Sequence, residues 1–169
     1  MGIRGTVWKY GDDVNTDVIY PGKYTYTISD PKEMAQHALE DLDPAFLKEV
    51  RNGDIVVAGK NFGCGSSREQ AATCLKYAGV GAVVAKSFAR IFFRNAINQG
   101  LALVECPEVV DVALKGDEVE IDFASGKVRC RGREFSFPPL PPEVIGIVEA
   151  GGLIAYTRKQ LGIEGKGEG

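Results

Sequence analysis

The segment Gly59-Lys60-Asn61-Phe62-Gly63-Cys64-Gly65-Ser66-Ser67-Arg68-Glu69 gathers hydroxyls, a guanidinium and a thiol on one glycine-rich turn. Glycines let successive backbone N–H groups converge, and a helix starting just beyond lends the turn the positive end of its dipole. Hydroxyls beside a bidentate cation on such a turn suit the binding of a carboxylate or phosphate, with proton transfer next to it. A simpler reading competes: Ser66 and Glu69 fit the S-x-x-E capping box, in which Ser66 only caps the helix. The crowding of Gly59, Gly63 and Gly65 exceeds what a cap requires. Known phosphate loops do not fit. Arg68 stands where a dinucleotide fingerprint needs its third glycine, and no Gly-Lys-Ser/Thr triplet closes a P-loop. Cys64 beside the turn is a weaker candidate nucleophile, since no base adjoins it in sequence.

Other chemistry-bearing residues are sparse. The 4 cysteines at 64, 74, 106 and 130 form no C-x-x-C pair, so the chain has no zinc-ribbon or ferredoxin signature and its thiols are read as reduced. The single histidine, His37, reads as a solvated residue of a polar helix and gives little support to Ser–His catalysis. Asp13-Val14-Asn15-Thr16-Asp17 begins like a calcium loop, but Val18 and Tyr24 occupy the positions that need glycine and glutamate. Lys86, Arg90 and Arg94 fall at helical spacing and read as a solvated basic stripe. A net charge of −3 without a basic cluster argues against nucleic acid. No apolar run has membrane-spanning length, and the first residues lack a signal-peptide pattern, which points to the cytoplasm.

The elements that must hold the turn follow from periodicity. Residues 54–58 read as a buried strand, 67–78 as a helix, 82–85 as a second strand, 88–98 as a second helix and 101–104 as a third strand. This alternation predicts a small, mostly parallel sheet with crossover helices. Upstream, Ile3 to Tyr10 reads as a strand and Asp12 to Asp17 as a polar loop. Lys23 to Ser29 reads as an exposed loop after the Pro21-Gly22 turn. Asp30-Pro31 opens a helix expected to run through Leu39, and Pro44 opens another. Downstream, residues 118–123 and 127–131 read as a hairpin about Ser125-Gly126, with 134–137 as a further strand. Helices are expected over 143–150 and 153–161, then a flexible tail over 162–169. The whole chain, 1–169, is read as one domain.

Asn61 to Glu69, with Asn15-Thr16-Asp17 upstream and Lys86-Ser87-Phe88-Ala89-Arg90-Ile91-Phe92 downstream, resembles the small-subunit family of 3-isopropylmalate dehydratase, itself similar to the mobile swivel domain of aconitase. The resemblance runs from Gly5 to Leu161 and implies an α/β fold of the swivelling β/β/α type. It implies that this chain binds no cofactor itself, and that a separate large subunit carries a [4Fe–4S] cluster on three cysteines. The two would assemble as a complex, with a heterotetramer left open, that interconverts 2-isopropylmalate and 3-isopropylmalate by dehydration and rehydration. On this resemblance Ser66 is the general base, Arg68 clamps a substrate carboxylate, and Ser67 with the N–H of Gly65 completes the cradle. Asp17 orients the neighbouring groups. Tyr24-Thr25-Tyr26-Thr27 corresponds to the loop that selects the substrate. Relatives acting on tricarboxylates have arginine in place of Tyr26, so its lack of charge favours an apolar side group. Gln70 replaces a histidine common in relatives. A homoaconitase or 2-methylmalate dehydratase small subunit, and a non-catalytic dicarboxylate-binding module, remain as alternatives.

Overall fold

A computed structural model describes residues 1–162. The strand β1 (Gly2–Lys9) lies at the middle of a seven-stranded mixed sheet. One edge of β1 pairs in parallel with β2 (Ile55–Ala58), Val7 opposite Ile55. Its other edge pairs antiparallel with β5 (Glu118–Asp122), Gly2 opposite Asp122. Beyond β2 come β3 (Ala82–Ala85) and β4 (Ala102–Glu105), both parallel; beyond β5 come β6 (Lys127–Cys130) and β7 (Arg133–Ser136), both antiparallel. The parallel sheet with crossovers is therefore present, but the hairpin and the strand after it extend that same sheet.

β2 and β3 are buried along their whole length, because helices or loops cover both faces, whereas β5 alternates exposed and buried. Val56 and Ala58 join a core with Tyr20, Leu39, Phe46, Phe62 and Leu75. Ile55 and Val57 point the other way, into a core with Val109, Ile121, Phe123 and Phe137. The crossover helices are α4 (Glu69–Tyr77), between β2 and β3, and α5 (Arg90–Asn98), between β3 and β4. α6 (Pro107–Val112), not foreseen, follows β4.

The smaller elements show where local signals held. Asp30 accepts from the Lys32 N–H at 3.2 Å and Pro31 opens α2 (Pro31–Ala35), as expected. The helix stops short of Leu39, whose N–H donates to Ile19 O at 2.8 Å with φ 56°. Asp43 caps α3 (Pro44–Glu49) in the same way. The expected polar loop contains a short helix, α1 (Thr16–Ile19), capped by Asn15 accepting from the Val18 N–H at 2.9 Å. At the far end, α7 (Pro142–Ala150) and α8 (Leu153–Gln160) form as expected. The half-buried Lys76 ammonium ties α4 to both neighbours by donating at 2.6 Å to Gln99 O, after α5, and at 2.6 Å to Gly151 O, after α7. These carbonyls are at helix C-termini, where a cation is favoured, and burial pushes the amine pKa down. The expected flexible tail, apart from Gly162, lies outside the described residues.

Candidate active site

Three loops meet at the carboxyl ends of β1, β2 and β3, the edge where open parallel sheets bind ligands. The loop after β1 is laced to the glycine-rich loop after β2 by backbone hydrogen bonds: Gly59 N to Gly11 O at 3.0 Å, Asp13 N to Lys60 O and Gly63 N to Val14 O at 2.8 Å, and Thr16 N to Cys64 O at 2.9 Å. The loop after β3 secures the other side, where Phe62 N donates to Ser87 O at 3.1 Å and Ala89 N to Phe62 O at 2.9 Å. Beneath, the Phe62 ring meets Phe92 edge-on at 5.3 Å and Phe88 at 6.1 Å, seating the start of α5 against the turn. Gly63 needs to be glycine for two reasons. Its φ is 83°, and a Cβ would overlap the Phe92 side chain.

Between the glycine turn and α5 lies a cleft of about 270 Å³ whose lining includes Thr16, Gly65, Ser66, Ser67, Arg68 and Arg90. Ser66 and Ser67 are exposed to it. Ser66 does not cap the helix: α4 starts at Glu69, its N-cap is Arg68, and no side chain caps it. The reason is tertiary. Thr16, 2% exposed, donates from Oγ1 to Ser66 O at 2.8 Å and holds that residue in the loop. Arg68 forms an ion pair with Asp17 of α1, and the pair lies against the backbone of Gly22. A Cβ on Gly22 would approach Arg68 Nη1 to 2.7 Å and Asp17 Oδ1 to 2.9 Å. The Pro21-Gly22 turn, Asp17 and Arg68 thus come together from distant parts of the chain.

None of Tyr24, Thr25, Tyr26 and Thr27 lines this cleft, although their segment begins at Gly22, against the Arg68–Asp17 pair. Nor is residues 23–29 simply an exposed loop, since Gly22–Tyr24 forms a 3₁₀ turn and Ile28 is buried. Tyr24 stacks on His37 at 4.0 Å, and His37 Nδ1 lies 2.7 Å from Glu40 Oε2. His37 is therefore a packed, half-buried group and not a solvated one. Burial alone would raise the Glu40 pKa, but hydrogen bonds from His37 and Tyr24 outweigh it and hold the carboxyl low. The Thr25 hydroxyl is buried without a partner among the described residues, and Tyr26 is 98% exposed.

The basic stripe does not form as one helical face. Lys86 precedes α5 and pairs with Asp111 at 2.7 Å, which raises the amine pKa, while Arg90 opens α5 and faces the cleft. Thr16 and Arg90 are the two polar side chains near the glycine turn that line the cleft without having been expected there from the sequence; Asn95 and the apolar wall Ala89, Ile91 and Phe92 join them from α5 and the loop before it. Thr16 lies within Asn15-Thr16-Asp17, but nothing local announces its bond to Ser66. Among the described residues no group of three His, Cys, Asp or Glu side chains is arranged to hold a metal, and no helix is long and apolar enough to cross a membrane.

The aconitase C-terminal domain family matches residues 10–109. The 3-isopropylmalate dehydratase small subunit of Thermodesulfovibrio yellowstonii is 51% identical over 166 residues, 97% of this chain and 98% of that protein. That of Aquifex aeolicus is 54% identical over 164 residues, covering 95% and 97%. A crystal structure of 3-isopropylmalate dehydratase from Methanocaldococcus jannaschii superposes with a TM-score of 0.89 at 45% identity, covering 96% of this chain and 97% of that one.

Proposed function

The chain belongs to the family of 3-isopropylmalate dehydratase small subunits, with the α/β fold of the aconitase C-terminal domain, and from that premise we propose how its cleft works. The reaction is the hydro-lyase isomerisation of 2-isopropylmalate and 3-isopropylmalate in leucine biosynthesis. It runs in the cytoplasm, in a complex with a large subunit. Ser66 removes the proton from one carbon as the hydroxyl leaves its neighbour, and returns it to that neighbour when water adds to the first carbon of the alkene. Arg68 grips a carboxylate through its bidentate guanidinium, oriented by Asp17, and Ser67 with the Gly65 N–H supports the same oxygens.

The residues of this chain do not suit an iron–sulfur cluster. Cys74, Cys106 and Cys130 are buried, and burial pushes each thiol pKa up, against the thiolate form that iron requires. In this reading the large subunit carries the [4Fe–4S] cluster, which supplies Lewis acidity to the substrate hydroxyl. The proton and the carboxylate are left to the small subunit.

The observation that carries the reading is the state of Ser66: its backbone is fixed by Thr16 while its hydroxyl opens onto a cleft lined by Arg68. A serine base needs a dry, cationic site to favour its alkoxide, and closure of the large subunit over this exposed cleft would supply the dryness. Tyr26, carrying no fixed charge and 98% exposed, would meet the substrate side group once the complex is assembled, which favours isopropyl over a third carboxylate. The test is turnover of 2-isopropylmalate by this chain with anaerobically reconstituted large subunit. Ser66→Ala should fold and assemble normally yet lose about 10²–10⁴-fold in kcat. Full turnover by the variant overturns the assignment.

A further inference from the structure

We propose that Arg90 is a second carboxylate-binding residue, holding the substrate carboxylate that Arg68 does not grip; this deepens the functional reading above and rests on it. Two cations line the cleft, and they differ in one respect. Arg68 is paired with Asp17, whereas Arg90 has no carboxylate partner among the described residues. A dicarboxylate brings two negative charges, and the Arg68–Asp17 pair offsets only part of one.

The position of Arg90 is unfavourable until an anion arrives. It is the first residue of α5, a helix with no acidic residue in its first turn and no side-chain cap. A cation there opposes the positive end of the helix dipole, and the leading N–H groups of the helix have no intrahelical partner. A local rule broken at the wall of a cleft is expected where a ligand restores the balance. A bound carboxylate would satisfy the guanidinium and the helix end together. Contacts of Phe92 with Phe62 and Phe88 fix the first turn of α5, so the exposed Arg90 side chain works from a rigid base.

The experiment uses the assembled, cluster-loaded complex with 2-isopropylmalate. Arg90→Gln should raise KM about 10–100-fold, as loss of a charged hydrogen bond does, with kcat changed only a few-fold. Arg90→Lys should recover part of the KM loss by restoring charge without the planar fork. Arg94→Gln, one turn further along α5, should leave KM unchanged. Titration of the variant with large subunit should give the parent affinity. A KM within twofold of the parent overturns the proposal, and so does weakened association that accounts for the loss, since Arg90 would then be a docking contact. Absence of isopropylmalate turnover by the unaltered complex would sink the functional reading itself, and this proposal with it.

Discussion

Replacing Gly63 with alanine strains the cleft from beneath. At φ 83° an L-residue pays about 1–2 kcal/mol, partly offset by about 0.4–1 kcal/mol from a stiffer unfolded chain, for a net of about 1 kcal/mol. The new methyl would also overlap Phe92, which is 2% exposed and packed against Phe62 and Phe88. Overpacking of this kind adds about 1–3 kcal/mol, giving a total of about 2–4 kcal/mol. Gly116→Ala isolates the backbone contribution. Its φ is 89° and no atom lies within 4 Å of where its Cβ would stand, so it should cost only about 1 kcal/mol. Urea denaturation of both variants, compared at a common slope, measures the difference. Gly63→Ala should unfold more easily than Gly116→Ala by about 1–3 kcal/mol. Equal losses would refute the reasoning, because the Phe92 ring would then yield freely and would not fix the turn against α5.

Thr16→Val removes the donor to Ser66 O while keeping the side chain's shape; the assembled enzyme should lose about tenfold in kcat with KM little changed, as expected for lost positioning of a base. An unchanged kcat would show that Ser66 is held by other means. Lys76→Met leaves the carbonyls of Gln99 and Gly151 without their donor and should lower stability by about 1–3 kcal/mol in urea denaturation. No loss would mean that water replaces the ammonium at both helix ends. Stability should also fall in alkali. Burial pushes the Cys74 thiol well above its usual 9.0, and burial with the Asp43 hydrogen bond pushes the Tyr10 hydroxyl well above 10.0. Both folded values are raised, so this stability is fully present below the unfolded values and is lost as pH climbs towards the folded ones. The slope is at most about 1.4 kcal/mol per pH unit for each group. Denaturation midpoints measured between about pH 8 and about pH 10.5 should drop in the parent and drop less steeply in Cys74→Ala with Tyr10→Phe, where the raised Cys106, Cys130 and Tyr20 still contribute. A flat parent curve would contradict the sign.

Where one segment carried its own signal, it was legible in the sequence. The parallel unit from β2 to β4 showed as apolar runs separated by helical periodicity, and Asp30-Pro31 announced the start of α2 by cap chemistry. The grouping of Ser66, Ser67 and Arg68 was legible because they adjoin one another. What failed depended on partners distant in sequence. Ser66 fits a capping box, yet the bond from Thr16 withholds it from the helix. His37 looked solvated because nothing near it in sequence indicates that Tyr24 will stack on its ring. Arg90 reads as part of a stripe with Lys86 because spacing alone does not reveal that α5 begins between them. The fusion of hairpin and parallel unit into one sheet was hidden for the same reason, since β1 periodicity does not specify which strands flank it.

That central strand also sets the order in which the sheet can be assembled. Val7 can meet Ile55 once β2 exists, but Gly2 to Thr6 must wait for Glu118 to Asp122. During synthesis the edge of β1 destined for β5 therefore stands open while the whole parallel unit emerges and packs. Closing so long a loop is slow, and an open strand edge invites pairing with another nascent chain. Recovery of this subunit should therefore respond to the rate of translation and to chaperones that shield strand edges, more than to the stability of the finished fold.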